Sequence, residues 1–251
     1  MKGNGPARPR TAPATLAGAV AVLAAANVIN NRLAPRLAPL TSAAATGALV
    51  ALARGDGLSW SELGLRDGPR GLRIGGALAA AVAAAYGAGI AIPATRRFFR
   101  DERALSLSRA RVLEEALLQV PVGTVLLEEA GFRGALYGLL ARSHGEAAAT
   151  VVSSALFGLW HVLPAIDMAA ANPALSALAA GEAPEDGPPA GPSPAETARV
   201  VAGSVLSTGL AGVLFCVLRR HGGLAAPALL HTATNSLGYL FARLAPAEPP
   251  A

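Results

Sequence analysis

The chain has 251 residues, 53% of them hydrophobic and only 15% charged, with a formal net charge of +5. About 25% charged is usual for a soluble domain, and a soluble chain this apolar would lack the surface charge to stay dispersed, so a lipid bilayer is its expected environment and partner. The positive charge is arginine except for Lys2, and with 6 Phe, 3 Tyr and 2 Trp there is no aromatic platform for bases, so anionic headgroups rather than nucleic acid are the expected partner of that charge.

Taken in order, apolar stretches near Ala14 to Ile29, Leu37 to Ala53, Ile74 to Pro93, Val112 to Leu140, Glu146 to Leu163, Ala198 to Leu218 and Gly223 to Leu244 reach or approach the roughly 20 residues that cross a hydrocarbon core. The expected fold is all-α, a polytopic transmembrane helical bundle of about six to eight spans. Lys2, Arg8 and Arg10 before the first stretch also suit a cleaved signal, but a retained helix is the preferred reading, since a multi-span chain follows. Gly55 to Arg73, with Trp60, acids and arginines, reads as an interfacial connector. Gly134 and Gly138 have the small-xxx-small spacing, read as packing within the chain rather than dimerisation. Cys216, the sole cysteine, excludes an intramolecular disulfide and reads as a small packed side chain. Asn172 to Pro194, dense in Pro and Gly, reads as a loop without a core, and 246–251 as a frayed tail. The organisation is thus 1–110, helices and a connector; 111–245, a helical core carrying the 172–194 loop; and 246–251. Arginines fall in connectors on both sides of this path, so the positive-inside count leaves orientation open, as the sequence does oligomeric state.

Ionisable groups inside spans are the informative residues, since each costs roughly 2.5–3.5 kcal/mol at a helix centre on insertion scales. Three clusters stand out: Glu128, Glu129 and Arg133; Phe157 and His161; His231 and Asn235. Glu129 and Arg133, four apart, read as a structural ion pair, and helical rotation of about 100° per residue lets Glu128 point elsewhere. One carboxylate, two imidazoles and one carboxamide then remain on three helices. Each alone has an ordinary packing explanation; together they point to one shared polar cavity. A second acidic pair, Glu114 and Glu115, adjoins Arg109 and Arg111 and reads as headgroup-level or helix-start charge. His144 and His221 lie beside glycines in connectors and are left outside the site.

The ordered motifs Glu128-Glu129-Ala-Gly-Phe-Arg133, Phe157-Gly-Leu-Trp-His161 and His231-Thr-Ala-Thr-Asn235 resemble those of the CPBP intramembrane proteases, the CAAX-prenyl-protease and bacteriocin-processing group also called Abi. The resemblance covers about Leu113 to Leu240, and the Pro-rich insertion after the second motif departs from it. It implies an intramembrane endopeptidase acting on membrane-associated or lipid-modified peptides, a multi-pass protein of the cell membrane. Glu128 and His161 would activate water, and His231 and Asn235 would donate hydrogen bonds to the oxyanion. Glu128, His161 and His231 also form a donor set suited to zinc, although the His-Glu-x-x-His helix is missing; metal-free catalysis is preferred and zinc stays open. A non-catalytic scaffold or immunity protein on a protease-like fold is the rival class, and a small transporter a weaker third.

Overall fold

The computed structural model describes residues 11–171 and 193–245. Lys2, Arg8 and Arg10, the loop expected at 172–194 except for its last two residues, and the tail 246–251 lie outside the described residues. Every element among the described residues is helical: α1 (Pro13–Val28), α2 (Ala38–Gly55), α3 (Gly68–Ala91), short α4 (Pro93–Arg96), α5 (Glu102–Leu105) and α6 (Arg109–Glu114), then α7 (Leu126–Glu128), α8 (Tyr137–Trp160), α9 (Val162–Ala171), α10 (Pro194–Gly222) and α11 (Ala225–Leu244). Two stretches around α7, Glu115–Val125 and Glu129–Leu136, are wound more widely, as π-helix. Pro121 lies inside the first, where its missing N–H prevents a regular i→i−4 bond.

Among the described residues, five helical segments are long and apolar enough to cross a bilayer: Pro13–Leu33, Pro35–Gly55, Gly68–Ala91, Arg109–Ala169 and Pro194–Gly222. Leucines such as Leu117, Leu206 and Leu210 point outward, as an all-α membrane-type bundle requires. The fourth segment has 61 residues, about 90 Å if straight at 1.5 Å per residue, three times a hydrocarbon core. It breaks at Gly145, whose φ of 83° and ψ of 167° are open to glycine and strained for other residues. Cross-contacts give the register of the fold-back. Ser153 Oγ donates to Phe132 O at 2.8 Å, and Trp160 Nε1 donates to Glu128 Oε1 at 2.8 Å, so partners move apart in sequence with distance from the turn and the two limbs are antiparallel. The expected helices Val112 to Leu140 and Glu146 to Leu163 are those two limbs. The last helix, α11, matches the expected Gly223 to Leu244, with His231, Thr234, Asn235 and Ser236 interrupting its apolar sequence.

The connector between α2 and α3 is shorter than the sequence suggests, because α3 begins at Gly68 and carries Arg70 and Arg73 in its first turns. It is also tightly held. Asp56 Oδ1 accepts from Ala12 N at 3.2 Å and Thr15 Oγ1 at 3.1 Å, while Arg142 donates to Asp56 O and Gly57 O, both at 2.8 Å, and pairs with Glu62 at 3.1 Å. Partial burial raises the Glu62 pKa, but hydrogen bonds from Ser59 and Arg142 and the Arg142 charge outweigh it, leaving the carboxyl below its usual value. Buried Arg219, on α10, joins the connector to the first limb by donating to both Glu62 O and Arg133 O, its cation 4.2 Å from the Tyr137 ring centroid.

Small residues set the spacing between these parts. A Cβ on Gly71 would come within 2.1 Å of Gly222 O, so α3 rests backbone-to-backbone on the end of α10. Gly134 and Gly138 face Leu58, Glu62 and Leu63 of the connector, consistent with packing inside the chain. Cys216 is buried with Sγ 3.9 Å from Ser154 Oγ, the packed side chain expected of it.

Candidate active site

The hairpin brings its own motifs together first. Glu128 ends α7 and Glu129 opens the second wide stretch, and both are buried, with 3% and 2% of their surface exposed. The antiparallel register lays the end of α8 beside them, which is why Trp160 reaches Glu128. Phe132 packs edge-on against Phe157 at 5.3 Å and against Trp160 at 5.4 Å between centroids, fixing the two limbs with aromatic contacts.

α11 adds His231, 4% exposed. Its Nδ1 donates to Glu129 Oε1 at 2.8 Å, and its Nε2 stands 3.6 Å from Glu128 Oε2. A carboxylate only accepts, so the first bond places a proton on Nδ1. Phe215 stacks on the ring at 5.1 Å, and Phe157 meets it edge-on at 6.0 Å. The imidazole is therefore fixed in position and in rotation.

The two glutamates meet opposite nitrogens of the same imidazole, and Glu128 also reaches a separate partner in Trp160. The expected ion pair is present, with Arg133 NH1 3.4 Å from Glu129 Oε1 and both side chains buried. It is not the principal bond of Glu129, whose Oε1 is taken by His231. The Arg133 guanidinium lies 3.7 Å from the Phe157 ring centroid and 4.9 Å from that of Phe215. Its three nitrogens have no hydrogen-bond partner, nor do Glu128 Oε2 and Glu129 Oε2. Two carboxylates, a guanidinium and an imidazole thus share one aromatic-walled enclosure.

Glu128 and His231 meet directly, whereas His161 and Asn235 lie outside the buried cluster. His161 caps α8 where the helix stops, with φ −85° and ψ 3°. Its half-buried ring turns back so that Nδ1 donates to Phe157 O at 2.8 Å, and it touches the Phe157 ring at 4.6 Å. The carbonyl accepts only, so in the neutral ring Nε2 keeps its lone pair. Asn235 lies one turn beyond His231 and is exposed, its single side-chain hydrogen bond among the described residues being a long one, 3.5 Å, from Thr234 Oγ1 to Oδ1. Four residues along an α-helix add about 400°, so it stands roughly 40° further round α11 than His231.

The donor set suggested for zinc is Glu128, His161 and His231. Among the described residues no three His, Cys, Asp or Glu side chains form a group that could hold a metal ion. His161 Nδ1, His231 Nδ1 and Glu128 Oε1 are each engaged by another partner.

Residue reading alone missed three contacts: Trp160 on Glu128, His231 on Glu129, and Asn27 Nδ2 on Trp160 O at 2.9 Å. A faint signal existed for two of them. An indole N–H and a carboxamide inside apolar helices both need partners, and Glu128 was the carboxylate left without one. Glu114 and Glu115 stay outside, paired with Arg111, as expected.

Comparison with curated proteins and with solved structures gave no match. The model of the Rce1-like family, described as type II CAAX prenyl endopeptidase, matches residues 115–237. That segment runs from the first wide stretch to just past Asn235 and holds all three motifs. That match over residues 115–237 is consistent with the CPBP resemblance and supports protease activity in general, and the apolar helices make the chain an integral membrane protein.

Proposed function

We propose that the protein is a multi-pass endopeptidase of the cell membrane that hydrolyses peptide bonds of membrane-associated or lipid-modified peptides, using a water molecule activated by Glu128. One observation carries this reading: Glu128 has one carboxylate oxygen tied to Trp160 and the other, Oε2, buried, unpartnered and 3.6 Å from an imidazole nitrogen. A carboxylate held this way accepts a proton from water as the resulting hydroxide attacks the scissile carbonyl, then returns that proton to the leaving amine. His161, with Nδ1 spent on Phe157 O, offers Nε2 to orient the water.

His231 and Asn235 are proposed as donors to the tetrahedral oxyanion. Donation from His231 Nε2 requires the doubly protonated ring, with Glu129 and Glu128 at its two nitrogens as counter-ions. Asn235, exposed one turn away, is where an arriving substrate carbonyl meets a carboxamide. The chemistry is proposed to be metal-free, with Glu128 as the base.

The test is a comparison of protein termini in membrane fractions from cells carrying the wild type or Glu128→Ala at matched abundance. New termini that need Glu128 support the reading and name the substrates. Identical termini in both favour the non-catalytic scaffold.

A further inference from the structure

We infer that Trp160 is a positioning residue for Glu128, and that α1, outside the family match, holds it in place through Asn27. The inference rests on the proposed role of Glu128 as the water-activating base. The indole Nε1 donates to Glu128 Oε1 at 2.8 Å, an N–H···O⁻ bond of the short, charge-assisted kind. A carboxylate whose two oxygens are both free can rotate about its terminal torsion, which has no steep minimum. Tying Oε1 to the indole removes that freedom and leaves Oε2 turned toward His231 Nε2.

The indole is itself held from two sides. Phe132 meets its ring edge-on at 5.4 Å. Buried Asn27, near the end of α1, donates Nδ2 to Trp160 O at 2.9 Å. That carbonyl belongs to the last turn of α8, where main-chain acceptors have no partner within the helix. Asn27 thus caps α8 from a neighbouring helix at the residue whose side chain aligns the carboxylate. Asn27 precedes residue 115, so part of the support for the site comes from a region that the family match does not include.

The test separates the N–H from the bulk of the ring. Benzothienylalanine at position 160 replaces the indole N–H by sulfur and keeps its shape, and Trp160→Phe removes the N–H and trims the ring. With a cleavable reporter peptide, both should lower kcat by about tenfold to a hundredfold, the scale of one hydrogen bond to a charged group, with KM within about twofold. A benzothienylalanine protein with wild-type kcat would overturn the inference, because packing alone would then account for Trp160. A second arm is independent of activity. The chain has 2 Trp, so in a Trp60→Phe background Trp160 is the sole tryptophan, and Glu128→Gln should shift its emission. An unchanged spectrum overturns the contact. If the wild type cleaves nothing, the proposed function fails by itself and the emission arm still decides whether Trp160 holds Glu128.

Discussion

Two stretches of this chain carry nearly the same residues to different ends. Glu114 and Glu115 follow Arg111 by three and four residues, and Glu128 and Glu129 precede Arg133 by five and four. In the first, the arginine serves both acids, bonding Glu114 and, at 2.7 Å, Glu115, all three partly exposed. In the second, the arginine is drawn aside over Phe157, and each acid finds its partner on another helix, Trp160 for Glu128 and His231 for Glu129. An acidic pair neutralised within its own turn is charge bookkeeping at a membrane surface. An acidic pair whose partners come from α8 and α11 lies where separate helices meet, and the fold of those helices is what distinguishes the two.

The largest expected effect on this contrast is in folding. Arg133→Ala strands Glu129 and its bound imidazole in an aromatic enclosure, and removal of one partner from a buried pair costs about 3–5 kcal/mol. The yield of folded protein from membranes should fall sharply, whereas Arg111→Ala should leave it unchanged. Normal yield of Arg133→Ala with cleavage alone lost would instead move Arg133 into the chemistry. Next in size is Glu129→Gln. A carboxamide can still accept from His231 Nδ1 but no longer balances a charged ring, so kcat should drop by about a hundredfold with KM little changed, while Glu115→Gln stays within about twofold. Equal effects of the two substitutions would erase the distinction.

The smallest effect concerns Glu62, a third acid, held at the connector. Its folded pKa is lowered, so its contribution to stability is fully present above the unfolded value of about 4.3 and is lost as pH falls through the lowered native value. The Glu62 side chain is 44% exposed, so the contribution should be below about 1 kcal/mol. Thermal melts of detergent-solubilised protein should show wild type and Glu62→Gln converging under acid, with the wild type slightly more stable at pH 7. A gap that widens under acid would reverse the sign and contradict the pairing with Arg142.

Much of this architecture is legible in the residues, for reasons that can be named. Apolar runs of bilayer length mark the helices, and Gly145 between two such runs allows the chain to reverse. Ionisable residues at depth mark the site, because the membrane makes each of them costly. The partners of Trp160 and Glu129 depend on the register of the hairpin and the height of α11, set by close contacts such as Gly71 on Gly222 that no local pattern encodes. His161 and Asn235 share the spacing of their motifs but not the enclosure. One sits at a helix end, and the other lies further round its helix.

The central claim is that Glu128, and not the similar acid at 115, drives peptide-bond hydrolysis. Its most direct test is cleavage of a membrane-anchored reporter peptide by purified protein in detergent, in excess chelator, for the wild type, Glu128→Gln and Glu115→Gln. The account predicts cleavage by the wild type and Glu115→Gln at similar rates, and loss of at least about a thousandfold in Glu128→Gln with its thermal melt unchanged. Undiminished cleavage by folded Glu128→Gln would contradict it.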